Sequence, residues 1–212
     1  MSADLLLILV MLTNLTLLAS SRLGASIRMV AVQGILLGLL PLLAPGHPAT
    51  WRVAGLALGG IALKGVVFPW LLFRALREAE VTREVEPHVG YISSLLGGVL
   101  AVGISFWLGH RLPLATSMAP SVLVPAAFFS ILAGLFLIVS RKRAVNQVLG
   151  FLVLENGIYT FGAGTVGETS VLVEVGVLLD VFVAVFVMGI TIFHINREFD
   201  HIDTDQLSAL KD

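Results

Sequence analysis

Four ionisable residues stand inside stretches that are otherwise apolar. Lys64 lies in GGIALKGVVFPW, Glu155 in VLGFLVLENGIY, and Glu174 and Asp180 in VEVGVLLDVFVAV. A charged side chain at the centre of a bilayer costs about 2.5–3.5 kcal/mol on insertion scales. Lys64, Glu155 and Asp180 each fall near the middle of a different run, so together they cost roughly 8–10 kcal/mol on that scale. Glu174 lies six residues before Asp180, roughly 9 Å of helical rise toward the outer end. Such groups should pair, face a bundle interior or line a hydrated cavity. Two chemistries fit. One is a buried Lys64–carboxylate ion pair that fixes helix packing, although such pairs are often no more stabilising than an apolar replacement. The other is a proton path. Desolvation disfavours a buried carboxylate's charged form and a nearby cation favours it. A group held between those effects can take up and release protons, and so can a desolvated lysine amine.

Three neighbours extend this set. Tyr159 follows Glu155 by four residues and shares its helical face, where it can hydrogen-bond the carboxylate, hold a water or simply pack. Asn156 points to another face and suits a bond across helices. His194 closes the last apolar run, either as an interfacial proton port or as a snorkelling polar end.

The elements that must position these residues are membrane helices. The chain of 212 residues is 57% hydrophobic and 13% charged, where soluble domains carry about 25% charged residues. Net charge is −1, which gives no reason to expect nucleic acid. The absence of cysteine removes disulfides, thiolate nucleophiles and the usual iron–sulfur ligands. No catalytic centre, metal or cofactor is expected. The N-terminal run carries Asp4 and no cation before it, which reads as a first helix rather than a signal peptide. Asn14-Leu15-Thr16 matches a glycosylation sequon by chance, inside that helix. Asp200, Asp203 and Asp205 lack the glycine and late glutamate of a calcium loop.

Seven runs are long enough to span, at about 4–21, 26–45, 51–77, 89–110, 121–140, 145–163 and 170–194. The expected fold is an all-α polytopic membrane bundle of about seven helices. Prolines 41, 45 and 48 divide the second run from the third, and Arg111, Pro113 and Pro120 divide the fourth from the fifth. The third run leads into an alternating charged stretch that ends at Pro87, a helical extension or a solvated linker. Arg22, Arg28, Arg74, Arg77, Arg83, Arg141, Lys142, Arg143, Arg197 and Lys211 fall on one side, against Arg52 and Arg111 on the other. The positive-inside rule then places the N-terminus outside and the C-terminus, with its polar tail, in the cytoplasm.

The block RKRAVNQVLGFLVLENGIY, from Arg141 to Tyr159, resembles the K-type subunit of respiratory complex I and the C-type subunit of multisubunit cation/proton antiporters. In those subunits a basic cytoplasmic loop leads into a helix with a central glutamate; here Gly150 and Glu155 stand wider apart than in the usual pattern. The K-type subunit has a second intramembrane glutamate in its next helix, followed by an isoleucine–aspartate pair in the tail. Asp180 lies at nearly the matching distance before Ile202-Asp203, with Glu174 as the competitor. This likeness covers about 121–212 and divides the chain into an N-terminal four-helix part, 1–115, and a K-like three-helix part, 116–212. The LENG sequence at Glu155, with the lysine-bearing third helix, makes the whole chain similar to component E of hydrogenase-4 formate hydrogenlyase and related group 4 membrane-bound hydrogenases. Lys64 followed by Pro69 also resembles the lysine and proline of a broken helix in antiporter-like subunits.

The resemblance implies a non-redox subunit in a bacterial or archaeal cytoplasmic membrane, between antiporter-like subunits and a membrane-anchored hydrogenase module. It further implies a lateral proton route at mid-membrane, through Lys64, Glu155 and Asp180. The alternatives are a scaffold without proton traffic and a subunit of a multisubunit cation/proton antiporter. A self-sufficient transporter would show an inverted repeat, which is not evident, and a retinal protein would carry more than 8% aromatic residues.

Overall fold

The computed structural model describes residues 3–43, 51–78, 89–112 and 121–165, and these are helical apart from short connections. α1 is Ala3–Ala19 and α2 is Leu23–Leu43. α3, Trp51–Ala62, continues through a π turn at Leu63–Val67 into α4, Phe68–Glu78. α5 is Tyr91–Arg111, α6 Leu123–Ser140 and α7 Ala144–Thr165. Leu23–Leu43, Ala57–Arg77, Tyr91–Arg111 and Leu123–Ser140 are long and apolar enough to cross a membrane, and Ala3–Ala19 is a shorter apolar helix. Six of the seven expected runs thus fall on described helices. The seventh, 170–194, and the charged stretch 79–88 lie outside the described residues.

Local chemistry explains the breaks. Between α1 and α2 the Ser20 hydroxyl accepts from the Arg22 amide at 3.3 Å, and the Ser26 amide and hydroxyl donate to the Arg22 carbonyl at 3.0 and 3.2 Å. α6 and α7 form a hairpin across Arg141–Arg143, where the amides of Asn146 and Gln147 donate to the Arg143 carbonyl at 3.0 and 3.1 Å. The π turn has a cause in Pro69. A proline ring clashes with the carbonyl four residues back and offers no N–H. The chain widens instead, and the Phe68 amide reaches the Leu63 carbonyl five residues back. The resemblance to antiporter-like subunits implied a broken helix at this lysine and proline; the structure keeps one rod and inserts a π turn that contains Lys64.

Glycines set how closely the rods approach. A Cβ on Gly134 of α6 would lie 2.5 Å from the Leu154 nitrogen, and one on Gly157 of α7 would lie 2.7 Å from the Ile131 nitrogen and 2.8 Å from the Ala127 oxygen. A Cβ on Gly150 would lie 2.9 Å from both the Gly134 oxygen and the Ile138 nitrogen. These are backbone atoms, which cannot rotate aside. Small residues are what allow helices to pack backbone to backbone where lipid supplies no hydrophobic drive.

Rods that follow one another in sequence and pack together run antiparallel. In α2 against the α3–α4 rod, Gly38 faces Ile61, Gly34 faces Lys64 and Gly24 faces Phe73. In α5 against α6, Gly109 faces Pro125 and Gly97 faces Phe136. This alternation brings the ends that carry Arg22, Arg74, Arg77 and Arg141–Arg143 to one side of the bundle, and Arg111 to the other.

The basic hairpin is not all surface. Lys142 and Arg143 are exposed, but Arg141 is 1% exposed. Its Nη2 donates to the Leu18 carbonyl at 2.6 Å, and its guanidinium lies over the Tyr91 ring at 4.5 Å. A cation at the last carbonyls of α1 is favourably placed for that helix's dipole. At the opposite end Asp4 accepts from the Val122 amide at 3.4 Å, at the start of α6.

The glycine seam can be tested directly. Gly157→Val should destabilise the chain by about 1–3 kcal/mol through overpacking, read as a lower thermal midpoint in detergent. Gly59→Ala, where an added Cβ meets nothing within 4 Å, should leave the midpoint unchanged or raise it. Equal losses in both would contradict the packing described.

Candidate functional site

Lys64 owes its reach to two glycines. A Cβ on Gly34 would lie 2.6 Å from the Lys64 Cβ, and one on Gly65 would lie 2.7 Å from Ile35 Cγ1. Bare backbone on both sides lets the π turn press against α2, and the lysine stem passes α2 to arrive at α7. There Lys64 Nζ donates to Glu155 Oε1 at 2.6 Å and to Asn156 Oδ1 at 3.3 Å. The side chains are 13% and 2% exposed. The Tyr159 ring lies 5.5 Å from Nζ, within cation–π range.

The structure therefore brings together four residues singled out from sequence: Lys64, Glu155, Asn156 and Tyr159. Shared depth of Lys64 and Glu155 becomes direct contact. Asn156 bonds across helices, as its face implied. Tyr159 approaches the lysine through its ring. Asp180, Glu174 and His194 lie outside the described residues.

The two carboxylate oxygens of the pair differ. Glu155 Oε2 is buried and has no hydrogen-bond partner among the described residues. A purely structural ion pair in an apolar interior needs its remaining lone pairs satisfied to repay desolvation. Here one oxygen holds the ammonium and the other is open to a further donor or a proton. At 2.6 Å the pair can also exchange a proton internally. The N–H bond breaks as the O–H bond forms, and charged lysine and carboxylate become neutral amine and acid.

One buried cluster was missed from sequence. Gln33 is 0% exposed and its Nε2 donates to Thr13 Oγ1 at 2.8 Å and Asn14 Oδ1 at 2.7 Å. Asn14 Nδ2 donates onward to Ser130 Oγ at 2.8 Å. These side chains carry no charge, so an inspection for intramembrane charges passes over them. Two carboxamides inside apolar runs were the available signal. Asn14 is buried at 1% exposed, in keeping with a sequon that arises by chance.

Fold and site together define a membrane-protein helix bundle built around a buried lysine–glutamate pair. No protein-family model matches the chain, and no solved structure matches it. The chain is 35% identical over 194 residues to Uncharacterized protein Rv0085 of Mycobacterium tuberculosis, an alignment covering 90% of this chain and 87% of that one. It belongs to the family of that protein. It is also 35% identical over 101 residues to Hydrogenase-4 component E of Escherichia coli and of Shigella flexneri, covering 48% of this chain and 46% of each relative. The match thus spans about half the length of those relatives.

A double-mutant cycle tests the pair. Lys64→Met and Glu155→Leu, taken singly, should each cost about 3–5 kcal/mol, because each strands a buried charge. The double variant should recover most of that loss in thermal unfolding. Strictly additive losses would mean that the two side chains do not interact.

Proposed function

We propose that this chain is a non-redox membrane subunit of a complex I-like, group 4 hydrogenase-type assembly, and that Lys64–Glu155 is a protonatable step in a lateral path at mid-membrane. The observation that carries the reading is the 2.6 Å contact between Lys64 and Glu155, with the second carboxylate oxygen buried and without a hydrogen-bond partner among the described residues. The likeness to Hydrogenase-4 component E supports the choice of assembly. On this reading the basic end of the bundle faces the cytoplasm of a bacterium or archaeon. Asp180, with Glu174 as the competing carboxylate, is the second protonatable group of the path on this reading, and His194 is either a proton port or a snorkelling polar end. The partners are antiporter-like membrane subunits and a membrane-anchored hydrogenase module.

The mechanism follows from the pair's two states. With the proton on Lys64, the carboxylate is held as its counter-ion. A proton arriving at Oε2 neutralises Glu155 and releases the ammonium's electrostatic hold. Lys64 can then pass charge to the next acceptor, and the amine left behind takes the carboxyl proton. A movement of charge at the hydrogenase module would bias which state is favoured, and so link redox chemistry to proton movement without any electron entering this chain.

The test is Glu155→Gln in the assembled complex, with assembly followed on native gels. Gln keeps the size and one acceptor oxygen but cannot ionise. Proton translocation should fall to the level of a complex lacking the subunit, while hydrogenase chemistry and assembly persist. Undiminished translocation by a fully assembled variant would instead favour a scaffold, with the ion pair serving packing alone.

A further inference from the structure

The amide cluster and the ion pair stand at one level of the bundle. Gln33 immediately precedes Gly34, whose backbone touches Lys64. Ser130 immediately precedes Ile131, which touches Gly157 of α7, and Gly157 follows Asn156. One residue of helix is about 1.5 Å of rise. Thr13 and Asn14 of α1, Gln33 of α2, Lys64 of the π turn, Ser130 of α6 and Glu155 and Asn156 of α7 thus form a single transverse polar layer.

Hydrogen-bond directions within the layer are fixed. Gln33 Nε2 donates to both α1 partners, and Asn14 Nδ2 donates to Ser130. The two hydroxyls donate in turn to their own helices, Thr13 to the Val10 carbonyl at 2.7 Å and Ser130 to the Ala126 carbonyl at 2.8 Å. Each of these donors runs away from Gln33 Oε1. That atom is buried and, like Glu155 Oε2, has no hydrogen-bond partner among the described residues. Two acceptors buried at one level thus have no donor among the described residues. An unsatisfied buried polar group costs about 1–3 kcal/mol, and an internal water is held where several polar groups converge. Water supplies two O–H donors, which is what both oxygens need.

We propose that Gln33 Oε1 binds internal water, and that the Gln33–Asn14–Thr13–Ser130 cluster extends a hydrated layer from the Lys64–Glu155 pair to α1. The hydration stands on the two orphan acceptors alone. Its use as a second arm of the proton path rests on the function proposed above. In that use the water oxygen accepts one proton and releases another, and Gln33 is a positioning residue that holds the water without ionising.

The full chain contains three glutamines, Gln33, Gln147 and Gln206. Selective ¹⁵N labelling of glutamine side chains in bilayers, with Gln147→Asn and Gln206→Asn used for assignment, isolates the Gln33 signal without altering the cluster. Solid-state NMR transfer of magnetisation from water should reach Gln33 Nε2 as quickly as it reaches the other side chains. A Gln33 signal that receives none would overturn the hydration. In the assembled complex, Gln33→Leu should slow proton translocation severalfold and Gln33→Asn should restore part of it. Normal translocation by Gln33→Leu in a hydrated bundle would overturn the role in the path. A failure of the proton reading itself shows separately, as normal translocation by Glu155→Gln, and leaves the NMR result standing.

Discussion

A lysine and a glutamate cannot both be kept charged inside an apolar bundle unless they touch, and much of this architecture serves that contact. The residues 91 positions apart meet because three rods are arranged to let them. Pro69 widens the helix at Lys64, Gly34 and Gly65 let that turn lie against α2, and the α6–α7 hairpin sets Glu155 at the same level. Removing any of these leaves a charge in a medium that does not tolerate one. The contact therefore constrains positions far from it, including Gly134 and Gly157, which determine the level at which α7 stands against α6.

Stability and chemistry pull in different directions at this point. The glycine seams, the buried apolar side chains and the Arg141 anchor at the end of α1 supply a rigid frame. Within it, at Glu155 Oε2 and Gln33 Oε1, the polar layer has no further hydrogen-bond partner among the described residues. A frame selected for stability alone would replace the pair with apolar residues of similar volume. Acceptors at one level with no partner among the described residues are what the proposed proton path builds on.

The helices and the Lys64–Glu155 site were legible in the sequence because both rest on strong local signals. Apolar runs of spanning length and charges inside them need no knowledge of tertiary contacts. Six runs coincide with described helices within a few residues, and Lys64, Glu155, Asn156 and Tyr159 stand out by residue type and position alone. What could not be read depends on partners distant in sequence. Arg141 read as one of three surface cations that orient the hairpin, yet it is buried because the Leu18 carbonyl and the Tyr91 ring receive it. The π turn depends on how the chain relieves Pro69, for which a kink was an equally good solution. Gln33 and Asn14 carry no charge, so their burial becomes evident only when α1, α2 and α6 are seen together.

The central claim is that Glu155 changes protonation state inside the bundle. Infrared difference spectroscopy on the full chain in bilayers, with isotope-labelled glutamate and Glu155→Gln as the subtraction, observes that carboxyl directly. The account predicts a protonated-acid carbonyl band that appears and disappears reversibly as the bathing pH is changed, and that is absent from Glu155→Gln. A carboxylate that stays ionised across the range in which the protein remains folded would contradict it and leave Lys64–Glu155 as a structural ion pair.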